Sequence, residues 1–320
     1  MKLFLPVLIA ASLLALGPGP AGAQTAPALT TVRVGVLGND DMISVLYAQK
    51  TGMYAKAGLD VQIDKSSPNG SAIAAAVAAG SYDIGKASAP ALIDAHLKGL
   101  PFVIIGTAAV YERKAPYVAL IVPKDSPIKS IGDISSGIYA VSFIHDGAQL
   151  SMSKAIGRDN PALKNVQFVE LPMSASAAAV DQGRVAGGEA SYPPLQAAMD
   201  TGKFRLLPIY DALGDGYSFS VWFTTQDYIK KHTDAVKTFQ RVTAESARYT
   251  NTHHAATAQM LSDFTGVPLA TIQRMPRSHN GTGITPADLA PWINAEAQFG
   301  YIKNYFPASE LIDPTLDNNP

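Results

Sequence analysis

The chain has 320 residues and no cysteine. Disulfides, thiolate catalysis and cysteine-ligated metals are thereby excluded together. The acceptor for a lipid anchor behind an export leader is missing too. Charge is scarce: 16% of residues are Asp, Glu, Lys or Arg, against roughly 25% in an average protein. The formal net charge is −1. With neither a basic stripe nor an acidic block, nucleic acid is not an expected partner. Long apolar runs are absent after the N-terminus. The one at the start, Leu3 to Leu16, is too short to cross a bilayer of about 30 Å as a helix.

That run fits an export leader. Lys2 supplies the charged start, Gly17 to Pro20 breaks the apolar stretch, and Ala21-Gly22-Ala23 offers a small-x-small cleavage site. Residues 1–23 are therefore expected to be a cleaved signal peptide. The mature protein is expected to be soluble and to diffuse freely in a Gram-negative periplasm.

One pattern occurs twice. Ser71 to Ile105 and Ser174 to Pro208 align at a constant offset of 103 residues, with 14 of 35 positions identical. Six identities are alanines, but the placed residues are more telling: Ser71/Ser174, Gly80/Gly183, Gly85/Gly188, Ser88/Ser191, Pro90/Pro193 and Gly99/Gly202. Upstream, Val61 to Asp64 answers Val166 to Glu170, and Val34 to Asp41 answers Tyr139 to Gly147. Each half alternates strands with helices, the pattern of an α/β sheet covered on both faces. The expected fold is two doubly wound α/β lobes with a hinge and a cleft between them. Residues 28–113, with part of 250–320, are expected to form lobe one and 114–225 lobe two. The helical remainder, 226–320, should pack on the backs of the lobes and tie them together. Within lobe one, Tyr82 to Gly85 reads as a short strand and Lys86 to Ala89 as the loop beyond it.

Several motifs are incomplete. Gly80 to Lys86 approaches a phosphate-binding loop, but Ala87 stands where Ser or Thr is needed and a helix precedes it. His253-His254 are neighbours on a helix and do not share a face. No Gly-x-Ser-x-Gly or His-Glu-x-x-His occurs. No metal and no cofactor is expected.

What remains are polar loops at the carboxyl ends of strands, where doubly wound sheets bind ligands. In lobe one they contain Asn39, Asp40 and Asp41; Asn69, Gly70 and Ser71; and Ala87 with Ser88. In lobe two they contain His145, Asp146 and Gly147, then Glu189, Ser191 and Tyr192. Asn69, Ser71 and Ser174 also suit helix caps, and capping is compatible with ligand contact. Glu189 ends an apolar strand, where a charge is costly unless satisfied. Its repeat mate is Lys86, so the two are candidates to pair across a closed cleft or to hold a zwitterionic ligand. Tyr47, Tyr111 and Tyr192 are candidates for an aromatic wall.

Three stretches carry a family resemblance: Ala48-Gln49-Lys50-Thr51-Gly52-Met53-Tyr54 with Gly58-Leu59-Asp60-Val61; Ala79-Gly80-Ser81-Tyr82-Asp83-Ile84-Gly85; and Lys124-Asp125-Ser126-Pro127-Ile128-Lys129-Ser130-Ile131-Gly132-Asp133-Ile134. Over about Val32 to Pro208 the chain resembles periplasmic solute-binding proteins of ABC importers. The branch is that of sulfonate, taurine, nitrate and thiamine-pyrimidine receptors. The resemblance implies two lobes closing on one small solute, a permease partner in the inner membrane, a monomer, and binding rather than catalysis. It implies contacts at Asn39, Asp40, Ser71, Ser88, His145, Asp146 and Ser191. The chain departs from the family at Ala186 and Ser191-Tyr192-Pro193, where an Asp and a Trp-Glu-Pro are frequent, and at His145 to Ala148, which replace a Ser/Thr-rich loop. No named member's ligand therefore carries over. The expected solute is small, polar and organic, bearing a sulfonate, a carboxylate or an amine. An enzyme on the same fold, with His145 and Asp146 as its acid–base candidates, and a ligand sensor remain as alternatives.

Overall fold

The computed structural model describes Met1 and residues 28–316. Apart from Met1, the expected signal peptide lies outside the described residues. Lobe one begins with β1 (Thr30–Gly35), α1 (Ile43–Lys50), α2 (Met53–Lys56), β2 (Leu59–Asp64), α3 (Gly70–Ala78), β3 (Ile84–Ser88), α4 (Ala89–Leu97) and β4 (Phe102–Tyr111). Lobe two follows with β5 (Val118–Pro123), β6 (Gly137–Val141), α5 (Gly147–Ile156), β7 (Val166–Glu170), α6 (Met173–Asp181), β8 (Gly187–Ser191), α7 (Pro194–Asp200) and β9 (Phe204–Leu207). The chain continues through β10 (Tyr217–Thr225), α8 (Gln226–Thr250), α9 (His254–Thr265), α10 (Leu269–Arg274) and α11 (Pro286–Phe299).

The duplication is visible in the sheets. One has the order β2-β1-β3-β10-β4 and the other β7-β6-β8-β5-β9. β1 pairs in parallel with β2 and β3, as β6 does with β7 and β8. The fourth place in each sheet holds an antiparallel strand, β10 in one and β5 in the other. Each sheet is thus mixed, not purely parallel. Both antiparallel strands enter directly after the chain has crossed between lobes.

Two sequence expectations are corrected here. The sequence pattern puts Ser218 to Thr224 in lobe two, but β10 lies in the sheet of lobe one, between β3 and β4. Its side chains are buried from Tyr217 to Thr224, which suits a central strand. The sequence pattern puts Lys86, Ala87 and Ser88 in a loop, but β10 extends the ladder through them, pairing Trp222 with Lys86, Val221 with Ala87 and Ser220 with Ser88.

The C-terminal helices divide their contacts. α8 covers lobe one, packing on α1, α2, β2, β4 and β10, whereas α10 reaches α7 of lobe two. α11 touches both lobes, with α4 and β10 on one side and α5 on the other. Its Trp292 indole donates to the Ser218 carbonyl at 2.7 Å and meets the rings of Tyr210, Tyr217 and Phe219 edge-on. An apolar aromatic cluster therefore fills the junction.

The two crossings run side by side. Gly216 donates to the Tyr111 carbonyl at 2.9 Å, Arg113 N–H to Asp215 at 2.8 Å, and the Tyr111 hydroxyl to Asp211 at 2.7 Å. Gly214 and Gly216 have φ of 127° and 70°. That backbone suits glycine and little else, and it lets the second crossing turn back sharply. No helix among the described residues is long and apolar enough to cross a membrane.

Candidate functional site

The carboxyl ends of the parallel strands in both sheets face one another, and two contacts bridge the cleft. Asn39 Nδ2 donates to Ser191 Oγ at 3.4 Å, and the Asp40 N–H to the Tyr192 carbonyl at 3.4 Å. The loop after β1 and the end of β8 are thus brought together, and with them Asn39, Asp40, Ser191 and Tyr192.

Lobe one's acids are engaged inward. Asp40 is fully buried. Its Oδ1 meets Arg277 Nε at 2.9 Å and Nη2 at 2.8 Å, while Oδ2 accepts from the Ser278 N–H at 2.6 Å. Asp41 pairs with Lys86 at 2.5 Å and accepts from Ser220 Oγ at 2.7 Å. All four charged residues are at least nine-tenths buried, so each ion pair compensates the desolvation of its own members. Lys86 consequently does not form the cleft-spanning pair with Glu189.

The second loop of lobe one starts α3. Asn69 Oδ1 caps it by accepting from the Ala72 N–H at 2.9 Å, so the cap is Asn69 and not Ser71, which is exposed one residue inside the helix. Pro172, not Ser174, holds the cap position of α6. A Cβ at Gly70 would stand 3.4 Å from that of Ala87, which packs the start of α3 against β3. Ser88 precedes α4 without a capping side-chain bond.

In lobe two, His145 carries φ of 70°, an uncommon conformation for a residue with a side chain. The conformation turns its ring onto Tyr301, centroids 4.5 Å apart, while its N–H donates to Gln149 Oε1 at 2.7 Å. The next carboxylate faces the other way. Asp146 caps α5 by accepting from the Gln149 N–H at 2.9 Å and from the Ser142 N–H at 2.7 Å. Imidazole and carboxylate diverge, and no hydrogen bond joins them. Gly147 lies beneath the aromatic cluster; a Cβ there would stand 2.8 Å from Trp292.

Glu189 is buried on β8, where its carboxyl shares a hydrogen bond with Asp146 and, among the described residues, forms no salt bridge. It accepts from Ser142 Oγ at 2.6 Å and from the Tyr210 hydroxyl. Burial raises its carboxyl above the usual range. Asp146 is pushed well above, by burial first and by the charge of Glu189 second. Tyr117, directly before β5, lies at the same floor. Its ring is buried, and its phenol is pushed well up by burial and then by the charge of Asp41, against the opposing hydrogen bond to Ser220.

Ser142, Tyr117 and Tyr210 were missed because no motif surrounds them; only their places beside a strand end or a crossing single them out. Of the candidate aromatic wall, Tyr47 stacks on Tyr249 of α8, centroids 4.7 Å apart, and Tyr111 belongs to the hinge. Tyr192 alone remains at the cleft. Among the described residues no group of three or more His, Asp or Glu is placed to hold a metal ion.

The NMT1/THI5-like family matches residues 39–256. No curated protein sequence matches significantly. Among solved structures, the periplasmic aliphatic sulphonate-binding protein SsuA of Escherichia coli superposes with a TM-score of 0.71 at 18% identity, covering 89% of this chain and 98% of that one. The alkanesulfonate-binding protein SsuA of Xanthomonas axonopodis pv. citri, bound to MOPS, gives 0.75 at 15% identity, with 90% and 99% covered. The periplasmic nitrate-binding protein NrtA of Synechocystis PCC 6803 gives 0.75 at 15% identity, with 92% and 88% covered. The fold is that of the periplasmic binding proteins.

Proposed function

The chain belongs to the NMT1/THI5-like family, and from that premise we propose that it is the substrate-binding component of an ABC-type importer. It captures a small polar organic solute, bearing a sulfonate, a carboxylate or an amine, and delivers it to a permease in the inner membrane. Residues 1–23 serve as the leader that takes it to the periplasm, where it works as a monomer. The observation that carries this reading is the pair of duplicated lobes whose polar strand ends meet at Asn39–Ser191 and Asp40–Tyr192. A rotation about the paired crossings opens and closes such a cleft as a hinge. Binding is favoured over turnover because His145 and Asp146, the acid–base candidates, point apart. The contacts proposed for the solute come from the strand ends and loops of both lobes: Asn39, Asn69 and Ser88 from one, Ser191 and Tyr192 from the other.

Native mass spectrometry of protein prepared gently from the periplasm tests the proposal. An added mass of solute size that disappears on denaturation supports it. Bare protein that also converts a substrate catalytically would overturn it in favour of the enzyme.

A further inference from the structure

The sequence holds two Asn-Gly pairs, Asn69-Gly70 and Asn280-Gly281, and the fold treats them oppositely. In such a pair the glycine nitrogen can close a five-membered ring on the asparagine carboxamide. Having no Cβ, the glycine neither shields the attack nor restricts the backbone turn that it needs.

Asn69 stands on the polar loop between β2 and α3. It is half-buried, and Lys65 to Pro68 ahead of it belong to no strand or helix, with Lys65, Ser66 and Pro68 exposed. Ring closure asks for rotation about the Asn69 Cα–C bond, which this exposed stretch can follow without disturbing the sheet. Gly70 opens α3, so its N–H lies ahead of the first intrahelical bond. The helix therefore does not hold the proton that must leave. The Ala72 N–H already donates to Asn69 Oδ1 at 2.9 Å, the oxygen that gathers negative charge when the carboxamide is attacked. The positive end of α3 acts in the same sense.

Asn280 is locked instead. It is 1% exposed, its Nδ2 donates to the Ala108 carbonyl at 2.8 Å, and its N–H donates to Asn251 Oδ1 at 2.8 Å. Its carbonyl accepts from Asn251 Nδ2 at 2.9 Å. A Cβ at Gly281 would stand 2.4 Å from that of Thr107, so the backbone there has no room to turn.

We propose that Asn69-Gly70 is a self-modification site, at which the folded chain converts Asn69 to aspartate and isoaspartate while Asn280 is spared. The Gly70 nitrogen loses its proton and bonds to Asn69 Cγ; the Cγ–Nδ2 bond breaks and ammonia leaves. Water then opens the cyclic imide at either carbonyl. One opening leaves an aspartate, and the other routes the backbone through the side chain. Either product puts a carboxylate into the loop ahead of α3, and isoaspartate also misplaces the helix cap. The reaction needs no solute and is independent of the binding-protein reading.

The test is incubation of the mature protein at 37 °C, at pH 6 and pH 8.5, followed by tryptic mass mapping. The peptide Ser66 to Lys86 holds one asparagine and no glutamine. It should gain one dalton and split into two products, faster at pH 8.5 because the attacking amide must deprotonate. The peptide Ser278 to Lys303 should keep its mass in the folded protein and gain one dalton in urea, where Asn280 loses its contacts. Asn69→Ser keeps a capping oxygen and should abolish the gain in the first peptide. Its melting temperature should hold through the incubation, whereas that of the wild type falls by a few degrees as the cap is spoiled. A first peptide that keeps its mass in the folded protein overturns the inference. Equal reaction at Asn69 and Asn280 in the folded chain overturns it too, because the fold would then play no part in the choice.

Discussion

Glu296 gives the sharpest prediction. It lies on α11 with 3% of its surface exposed, its Oε1 has no hydrogen-bond partner, and the charge acting on it, Asp94, has the same sign. Burial first and Asp94 second push its carboxyl from 4.5 up to about 8. The native state therefore holds this proton more tightly than the unfolded chain does. Its contribution is undiminished below pH 4.5, is lost as pH rises from 4.5 to about 8, and stays lost above that. At about 1.4 kcal/mol per tenfold change in proton activity, the interval bounds the loss near 5 kcal/mol. Local relaxation and water entry bring the expected figure to about 2–4 kcal/mol. Glu296→Gln keeps the shape and removes the ionisation. Urea unfolding followed by the fluorescence of Trp222 and Trp292 should give the two proteins similar stability at pH 5. At pH 8.5 the variant should be more stable by about 2–4 kcal/mol. Asp146 and Glu189 tilt both curves alike, so the difference isolates Glu296. Parallel curves from pH 5 to 8.5 would refute the reasoning, for they would mean that the carboxyl titrates in its ordinary range.

Other perturbations follow from contacts already described. Lys86→Met leaves Asp41 buried without its base and should cost about 3–5 kcal/mol; an unchanged urea midpoint would show that the pair contributes nothing. Gly147→Ala drives a methyl to 2.8 Å from Trp292 and should cost about 1–3 kcal/mol, with a shift in tryptophan emission that a silent substitution would not show. Asn39→Ala with Ser191→Ala removes a bridge between the lobes; small-angle scattering of the ligand-free double variant should give a larger radius of gyration, and an unaltered profile counts against the bridge. Trp222 Nε1 and Gln240 Oε1 are both unpaired and line one small cavity beside α8; a high-resolution crystal structure should show water bonded to them, and a dry cavity would contradict this.

The duplication was legible because its glycines, serines and prolines hold fixed places in the turns. α3 and α6, and likewise β3 and β8, stand 103 residues apart in the structure, the offset found in the sequence. Strand ends as ligand loops were legible for the same reason. The partners of Asp40 and Asp41 were not. Asp41 meets Lys86 over 45 residues and Asp40 meets Arg277 over 237, and nothing local in the chain marks either distance. Glu189 was noticed as a charge in an apolar strand, yet Ser142 and Tyr210, which satisfy it, lie beyond any motif. The sheet membership of β10 was illegible too, since an apolar strand reads alike in either lobe and only its distant pairing decides.

That pairing bears on the order of assembly. Lobe two occupies one unbroken stretch, whereas lobe one is written in two pieces with the other inserted between them. β10 is the bar that keeps β3 and β4 in place. A chain emerging from its N-terminus therefore completes the inserted half first. The earlier half waits as an open sheet with bare edges, the form most exposed to wrong pairing, until the last of the central strand arrives. The half made first is the half finished last.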